Sequence, residues 1–332
     1  MPRIRTNQPQ LDNTPQPTII ERLRSGKAVP IIGSAIAQDL LFGGYDAVVK
    51  AYGDYNQYPL NERSLAQVTQ FKAIQDDTIR DALTLRENYL TFIKSRLFEL
   101  AQAAHIKQEA LDGVDQQFDR LNLSQMCEQL PYPALSDEEQ DPFLLLAALD
   151  LPIYLTTDFH GLLANALRRR PGCEPQIDYC RWNQKLINLP SVLRTGYEPT
   201  RQKPLVYHLH GWDGEPESMV LTEDDHYRFL MQCAQNAGKD TDPVHGRVRR
   251  ELSLASLLLL GYSLRSEEFR SLFWGLIDTR SDKKASVVEI HLKPSRVEQI
   301  YLEKYLQKDH NLEVCWDDIH TYLQELYQGV SA

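Results

Sequence analysis

Hydrophobic and polar positions follow two different periods along this chain. Short apolar runs of the kind that form buried strands are separated by segments in which apolar residues return every three or four positions, as in amphipathic helices. The chain alternates between the two kinds of segment, which predicts a doubly wound parallel sheet of the α/β class. The predicted strands span residues 28–32, 152–157, 177–182, 205–210, 254–260, 285–292 and 312–316. The predicted helices that flank the later strands span 159–169, 269–277, 294–306 and 317–327.

One long segment breaks this alternation. From about residue 60 to 130 the apolar residues, such as Leu65, Val68 and Phe71, keep helical spacing and no strand-like run occurs. Proline, asparagine and glutamine dominate the first residues, a composition typical of an unpacked arm. We therefore predict a flexible arm over 1–17, a sheet domain built from 18–59 and 142–332, and a helical insertion over 60–141.

Composition and charge exclude several classes of function. The 332 residues carry a net charge of −10, with 46 acidic and 36 basic side chains, which argues against nucleic-acid binding. The five cysteines are scattered and never form a C-x-x-C motif, which favours free thiols in a reducing cytoplasm over a structural zinc site. The longest apolar stretch, 254–260, is too short to span a bilayer, so we expect a cytoplasmic protein without a membrane partner.

Small or polar residues follow four of the predicted strands. Because the carboxyl ends of parallel strands meet at one edge of a sheet, these four turns are expected to share a ligand crevice. The residues at these strand ends are Gly33, Ser34 and Ala35; Thr156, Thr157 and Asp158; His210 and Gly211; and Gly261, Tyr262 and Ser263.

The stretch 205–227 combines a strand, two histidines and a helix start. If 205–210 is a strand, alternation places His208 and His210 on the same face, and His210 lies at the carboxyl end. Thr222 with Asp225 three positions later resembles a capping box, so a helix is expected to begin there. His210 is the preferred site residue, and His208 is expected to be a packed or hydrogen-bonding neighbour.

Taken in order, the strand ends resemble the bacterial sirtuin-like (Sir-two-like) family, in its NAD-hydrolysing branch from antiviral defence systems. The resemblance runs from about residue 27 to the last helix. It rests on the Gly-Ser-Ala turn and on the blocks YPLNERSLAQVTQF, YLTTDFHGLL, YHLHGWDGEPESMVLTEDDHY and LLLLGYSLRSEEFR. The family fold is a Rossmann-like sheet carrying a smaller inserted domain, which agrees with the organisation predicted from periodicity.

The resemblance also implies roles for individual residues. His210 matches the family's catalytic histidine, and Asp158 falls where the family usually has the asparagine of a Thr-Thr-Asn motif. Gly33 begins the turn that faces the phosphates, and Gly261 with Ser263 matches the turn that holds the adenosine ribose. The remaining cofactor-binding candidates lie in the same turns: Ser34, Ala35, Thr157 and Tyr262.

Two features depart from the family pattern: the first turn and the residue at position 158. Ala35 stands where the family has a second glycine, and Ala37 stands where it has a hydroxyl residue. A methyl group at a positive φ is costly, so the loop must differ or the phosphate must sit further away. Asp158 replaces an asparagine; its carboxylate can stabilise an oxocarbenium-like centre, repel the pyrophosphate of NAD, or simply cap a helix that starts at Phe159.

Two functions remain open from the sequence. The first is an NAD⁺ glycohydrolase without a metal, which acts as the effector of an antiphage defence system and is restrained by homo-oligomer assembly or by a partner such as a defence ATPase or sensor. The second is a catalytically reduced module that senses NAD or ADP-ribose within a defence complex. A third class, the zinc-dependent protein deacylases, is disfavoured because its cysteine quartet is absent.

Overall fold

A computed structural model describes residues 15, 17–61, 63–133, 141–263, 266–277, 288–292, 312–316 and 318–332. Within these residues seven strands form one sheet in which every neighbouring pair is parallel, in the order β3-β4-β2-β1-β5-β6-β7. This confirms the predicted parallel α/β class. The strands are β1 (Ala28–Ile32), β2 (Ile153–Thr156), β3 (Gln176–Tyr179), β4 (Leu205–His208), β5 (Ser256–Leu260), β6 (Val288–Leu292) and β7 (Leu312–Trp316).

Helices connect the strands. They are α1 (Pro17–Arg24), α2 (Ala35–Phe42), α3 (Tyr45–Tyr55), α4 (Leu65–Gln75), α5 (Ala82–Ala103), α6 (Gln108–Asp115), α7 (Leu123–Gln129), α8 (Pro142–Ala148), α9 (Leu162–Arg168), α10 (Glu223–Gln235), α11 (Gly246–Leu254), α12 (Glu267–Leu272) and α13 (Ile319–Ser331). A π-helical turn, Phe273–Ile277, continues α12. None of the helices in these described ranges is long and apolar enough to cross a membrane.

The central strands of the sheet determine where a ligand crevice can form. All five residues of β1 and all five of β5 are buried, as expected for strands covered by helices on both faces. β1 pairs with β2 on one side and with β5 on the other, so successive strands are added in opposite directions from β1. In open α/β sheets such a switch point leaves a crevice at the carboxyl ends of the strands, where ligands bind.

The described elements between β1 and β2 are all helices, α2 to α8, and together they form the helical block. Some of them pack over the strand ends through a small apolar cluster that includes Tyr52, Tyr89, Phe159 and Leu221. Tyr52 and Tyr89 meet edge to face, with ring centroids 5.3 Å apart. The cluster therefore holds the helical block against the carboxyl edge of the sheet. The division of the chain at residues 17, 60 and 141 stays a prediction.

Several predicted boundaries were wrong near the crevice. The strand predicted over 205–210 ends at His208, and the helix predicted over 159–169 begins at Leu162 with Gly161 as its N-cap, so Asp158 does not cap α9. Most of the predicted arm over 1–17 and the whole helix predicted over 294–306 lie outside the described residues.

Candidate functional site

Backbone hydrogen bonds join four strand ends at the switch point. The Gly33 amide donates to the Leu260 carbonyl at 2.7 Å, and the Thr157 amide donates to the Ile32 carbonyl at 2.9 Å. On the other side of β2, the Leu209 amide donates to the Thr156 carbonyl at 2.7 Å. The turns after β1, β2, β4 and β5 are therefore brought together, as the sequence predicts.

Gly33 allows the turns after β1 and β5 to touch. A Cβ atom at this position would lie 2.4 Å from the Gly261 carbonyl oxygen, so a larger residue would push the two strand ends apart. Ala35 is the first residue of α2, and it is absent from the described non-glycine residues with positive φ, namely Gln57, His105 and Asp150. The expected strain at Ala35 does not arise, because the helix begins where the family pattern has its second glycine.

A carboxylate occupies the amino-terminal end of α2. Glu268 accepts the Ser34 amide at 2.9 Å, the Ser34 hydroxyl at 2.8 Å and the Thr157 hydroxyl at 2.5 Å. Ser34 is the N-cap of α2, but its hydroxyl makes no bond to its own helix because Glu268 takes it. Burial raises the pKa of Glu268, although these hydrogen bonds favour its ionised form.

Tyr262 completes this network. Its hydroxyl lies 2.8 Å from the Thr157 hydroxyl, which can accept a hydrogen bond from Tyr262 while donating one to Glu268. Ser263 is exposed and lies at the rim of a cleft outside the network. Of the cofactor-binding residues predicted around the first and last turns, Ser34, Thr157 and Tyr262 therefore form one connected cluster.

His210 lies on the other side of this cluster, just beyond β4. Its Nε2 atom is 3.2 Å from the Ser271 hydroxyl, and the Nδ1 atom of His226 is 3.1 Å from the same oxygen. The His210 ring also packs edge to face on Phe229, with centroids 4.7 Å apart. Burial, and then the neighbouring His226, lower the pKa of His210 well below its ordinary value, so this imidazole is neutral at pH 7.

Gly211 forms the turn directly after His210. Its φ is +90°, and a Cβ atom there would lie 2.2 Å from the Ser218 carbonyl oxygen. The chain then returns to the strand tip, where the Val220 amide donates to the His210 carbonyl at 2.8 Å. Thr222 and Asp225 form a complete capping box at the start of α10, as predicted.

Two connected spaces surround these groups. A small cavity of about 40 Å³ is lined by His210, His226, Thr157, Ser34 and Glu268, together with residues of the helical block such as Tyr45 and Leu65. An open cleft of about 820 Å³ adjoins it and is lined by the turns at Ser34 and Gly261 and by the first turn of α12. This volume is in the range of small-molecule and cofactor sites, about 300–1,000 Å³.

Comparison with known families identifies the fold around these turns. Residues 152–315 match the family model described as SIR2-like domain. The chain carries a SIR2-like domain. The match begins just before β2 and includes the turns that carry Thr157, His210 and Gly261. A search among curated proteins gave no match.

SIR2-like domains bind NAD, and the crevice of this SIR2-like domain lies where a parallel sheet places nucleotide ligands. The amino-terminal end of α2 and the hydroxyls of Ser34 and Thr157 are suited to a phosphate group. Among the described residues, no group of three histidine, cysteine, aspartate or glutamate side chains could hold a metal ion.

Within the SIR2-like domain, Asp158 and His210 have different neighbours. Asp158 is buried but does not line the small cavity, and its Oδ1 atom lies 4.0 Å from His160 Nε2. His160 in turn lies 3.4 Å from Asp213 through Nδ1. Burial raises the pKa of Asp158 to about 6, while the nearby His160 opposes this shift. The two predicted catalytic residues are therefore in neighbouring but different clusters.

The expectation that His208 and His210 share a face depended on a strand over 205–210, whereas the strand ends at His208. His208 Nδ1 lies 2.8 Å from the Asp158 carbonyl oxygen, and its ring is near Trp212. Burial lowers the pKa of His208 to about 4. His208 is thus the hydrogen-bonding neighbour predicted from the sequence, and it contacts a different part of the site.

Three residues of the site were not found by sequence reasoning: Glu268, Ser271 and His226. Ser271 lies in the helix predicted over 269–277, and Glu268 lies in the block LLLLGYSLRSEEFR, where no role was assigned to it. Glu268 meets Ser34 across 234 positions of the chain. His226 had no ligand-like spacing to another histidine. The available signal was the acidic pair Glu267 and Glu268, which begins four residues after the predicted ligand turn ends at Ser263. A pyrophosphate site favours positive or neutral groups, so carboxylates near it are unusual.

Proposed function

We propose that this protein is an NAD⁺ glycohydrolase. The bond between the nicotinamide nitrogen and the ribose C1′ atom breaks, water adds its oxygen to C1′, and nicotinamide, ADP-ribose and a proton are released. The observation that carries the proposal is the convergence of His210, Thr157 and Ser34 on one cavity at the switch point of a SIR2-like domain.

His210 is proposed to accept a proton from the attacking water or from a ribose hydroxyl. Its imidazole is neutral, so a ring nitrogen has a lone pair for this step, and Ser271 and Phe229 fix the plane of the ring. Ser34 and Thr157 are proposed to hold the pyrophosphate, with Gly33 permitting close approach of the backbone. In this scheme the turn at Gly261 and Ser263 contacts the adenosine half.

A biological role follows as part of the same proposal. Uncontrolled NAD⁺ hydrolysis harms a cell, so we propose that the enzyme is the effector of a bacterial antiphage defence system and is restrained until it assembles with copies of itself or with a protein partner. Tyr45 and Leu65 of the helical block line the cavity, and this contact would let a partner that binds the block alter the site. We place the enzyme in the cytoplasm.

The test is to incubate the pure protein with NAD⁺ and to measure nicotinamide and ADP-ribose by chromatography. Equal amounts of the two products from the wild type, and their loss with His210→Ala, would support hydrolysis. His210→Gln, which keeps most of the side-chain volume, controls for a folding defect. No nicotinamide release at any protein concentration, with His210→Ala indistinguishable from wild type, would refute the enzyme.

One observation favours a second function, an NAD or ADP-ribose sensor. Asp158 stands where the family has an asparagine, and its carboxylate faces His160 rather than the cavity. Calorimetry that detects ADP-ribose binding without NAD⁺ turnover would favour the sensor. A gain of hydrolysis in Asp158→Asn would show that the native site is catalytically reduced.

A further inference from the structure

The Glu268 carboxylate holds the same donors that a phosphate group would use. It accepts two hydrogen bonds from Ser34, one from the backbone amide and one from the hydroxyl, and a third from Thr157. An amide and hydroxyls at a helix amino terminus form an anion site, because the peptide dipoles add a partial positive charge. In this structure the anion is supplied by the protein itself.

A phosphate and Glu268 cannot both use these donors. The Ser34 amide and each of the two hydroxyls carry a single proton, and all three are directed to one carboxylate. A phosphate brought beside an ionised carboxylate would also be repelled over a few ångströms in a partly buried site, where screening by water is weak. A bound pyrophosphate at this position therefore requires Glu268 to leave.

The shape of the crevice agrees with this competition. Five residues line both the 40 Å³ cavity next to His210 and the 820 Å³ cleft outside it, namely Ser34, Tyr45, Ser266, Glu267 and Glu268. Of the two carboxylates at this junction, Glu268 is the one bonded to Ser34 and Thr157. The inner cavity has room for about one water molecule, whose share of liquid volume is about 30 Å³. A nicotinamide ribose does not fit in this inner cavity as it stands, so side chains at the junction must move before a ribose reaches His210.

The helix that carries Glu268 can retain its structure when this side chain moves. Glu268 is the second residue of α12, and the first turn is capped by Ser266, whose hydroxyl accepts the Phe269 amide at 3.1 Å. Neither that cap nor the helix backbone depends on the Glu268 carboxylate. Rotation of one side chain would free the anion site and leave α12 in place.

We propose that Glu268 is an internal competitor of the substrate, which occupies the pyrophosphate position and keeps the resting enzyme inhibited. The identity of the displaced ligand rests on the proposed NAD⁺ glycohydrolase function. A contact that draws Glu268 away from Ser34 and Thr157 would activate the site. The alternative role for this carboxylate, as an acceptor for ribose hydroxyls in the bound state, predicts the opposite effect of its removal.

The test is calorimetric titration of the full-length protein with ADP-ribose, which carries the pyrophosphate but no cleavable nicotinamide. Glu268→Gln keeps the shape of the side chain and removes its charge, and Glu268→Ala removes the side chain beyond Cβ. We expect the Kd of both variants for ADP-ribose to be lower than that of the wild type by at least about ten-fold. The reason is that a larger fraction of each variant has a free site. Thermal unfolding of each variant checks that it is folded.

Glu267→Gln is the matched control. It removes the same charge from the preceding residue, but Glu267 contacts the Ser64 hydroxyl of the α4 cap, at 3.2 Å, instead of α2. A similar gain in affinity for Glu267→Gln and Glu268→Gln would mean a general charge effect and would overturn the proposal. So would unchanged or weaker binding by the Glu268 variants, or no ADP-ribose binding by any protein. Tighter binding without NAD⁺ turnover would support the competitor role while refuting hydrolysis.

Discussion

The neutral charge state of the His210 ring follows from its surroundings. The ring contacts Ser271, His226 and Phe229, and burial, followed by the neighbouring His226, keeps the ring uncharged. Burial also lowers the pKa of His226 to about 4. The Ser271 hydroxyl lies between the two rings and also donates toward the Glu268 carbonyl at 3.2 Å, so it is the group that orients His210.

Replacing Ser271 tests this orientation. Ser271→Ala should lower kcat for NAD⁺ hydrolysis about ten-fold and change KM less than two-fold, because the ring loses a positioning bond that does not touch the substrate. Steady-state kinetics separates the two constants. Ser253→Ala, a serine of α11, serves as the control. A rise in KM with unchanged kcat would contradict the positioning role.

The burial of Asp158 should make the stability of the protein depend on pH. Burial raises the pKa of Asp158 from 3.8 to about 6, so the folded protein binds this proton more tightly than the unfolded chain does. The stability from this group is therefore present at low pH and is lost as the pH rises through about 6. Burial alone would lower the pKa of the adjacent His160, but Asp158 and Asp213 together raise it, and its contribution has the same sign.

Asp158→Asn should remove this dependence. Relative to the wild type, the free energy of unfolding of the variant should increase by roughly 1–2 kcal/mol between pH 5 and pH 8. Urea denaturation at the two pH values measures this difference. Contributions from titrating groups that do not interact with Asp158 cancel when the two proteins are compared at each pH, and the loss of the Asp158 charge beside His160 changes the difference in the same direction. A difference that stays constant or shrinks toward pH 8 would show that Asp158 is not held in a charge-excluding environment.

At the scale of elements, one buried arginine connects the helical block to the site. Arg86 of α5 lies 3.2 Å from Asp225, the residue that completes the capping box of α10, and 3.7 Å from Glu217 in the loop after β4. Its guanidinium also lies over the Trp182 ring at 5.8 Å. Because α10 carries His226, Arg86 joins the position of α5 to the position of the site.

Arg86→Met should therefore be strongly destabilising. It leaves Asp225 buried without its cation, and loss of one partner of a buried ion pair costs about 3–5 kcal/mol. Chemical denaturation measures the loss. Arg96→Met, which removes an exposed arginine of the same helix paired with Glu99, should cost less than about 1 kcal/mol. Equal effects of the two substitutions would mean that the Arg86 contacts contribute little.

Element order was predictable because it depends on local pattern. The apolar runs that became β1, β5 and β7 carry their signal in a few adjacent residues. Strand ends were less predictable, since β4 stops at His208 where Gly211 begins to turn the chain.

Contacts between distant segments decided the rest of the site. The bonds of Glu268 to Ser34 and of Arg86 to Asp225 join residues 234 and 139 positions apart. No local spacing indicates such pairs. His210 could be selected because a resemblance to a family marked it, and Asp158 was paired with it for the same reason, whereas folding directs Asp158 toward His160.

At the scale of the whole molecule, the sheet provides the ligand edge and the helical block covers it. The SIR2-like domain match spans residues 152–315, but the cavity also uses Ser34, Tyr45 and Leu65, which precede the matched region. A complete site therefore needs the first strand and the helical block as well as the matched domain. This arrangement is the structural basis for proposing control through the helices.

The most direct test of the account is the rate of nicotinamide release from NAD⁺ by three proteins across a series of concentrations. The proteins are the wild type, His210→Gln, and His105→Asn, which changes an exposed histidine whose positive φ asparagine tolerates. We predict turnover by the wild type and by His105→Asn, and a rate about 10²-fold to 10⁴-fold lower for His210→Gln, as for loss of a general base. Equal rates for all three proteins, or no release by any of them, would contradict the assignment of NAD⁺ hydrolysis to the His210 cavity.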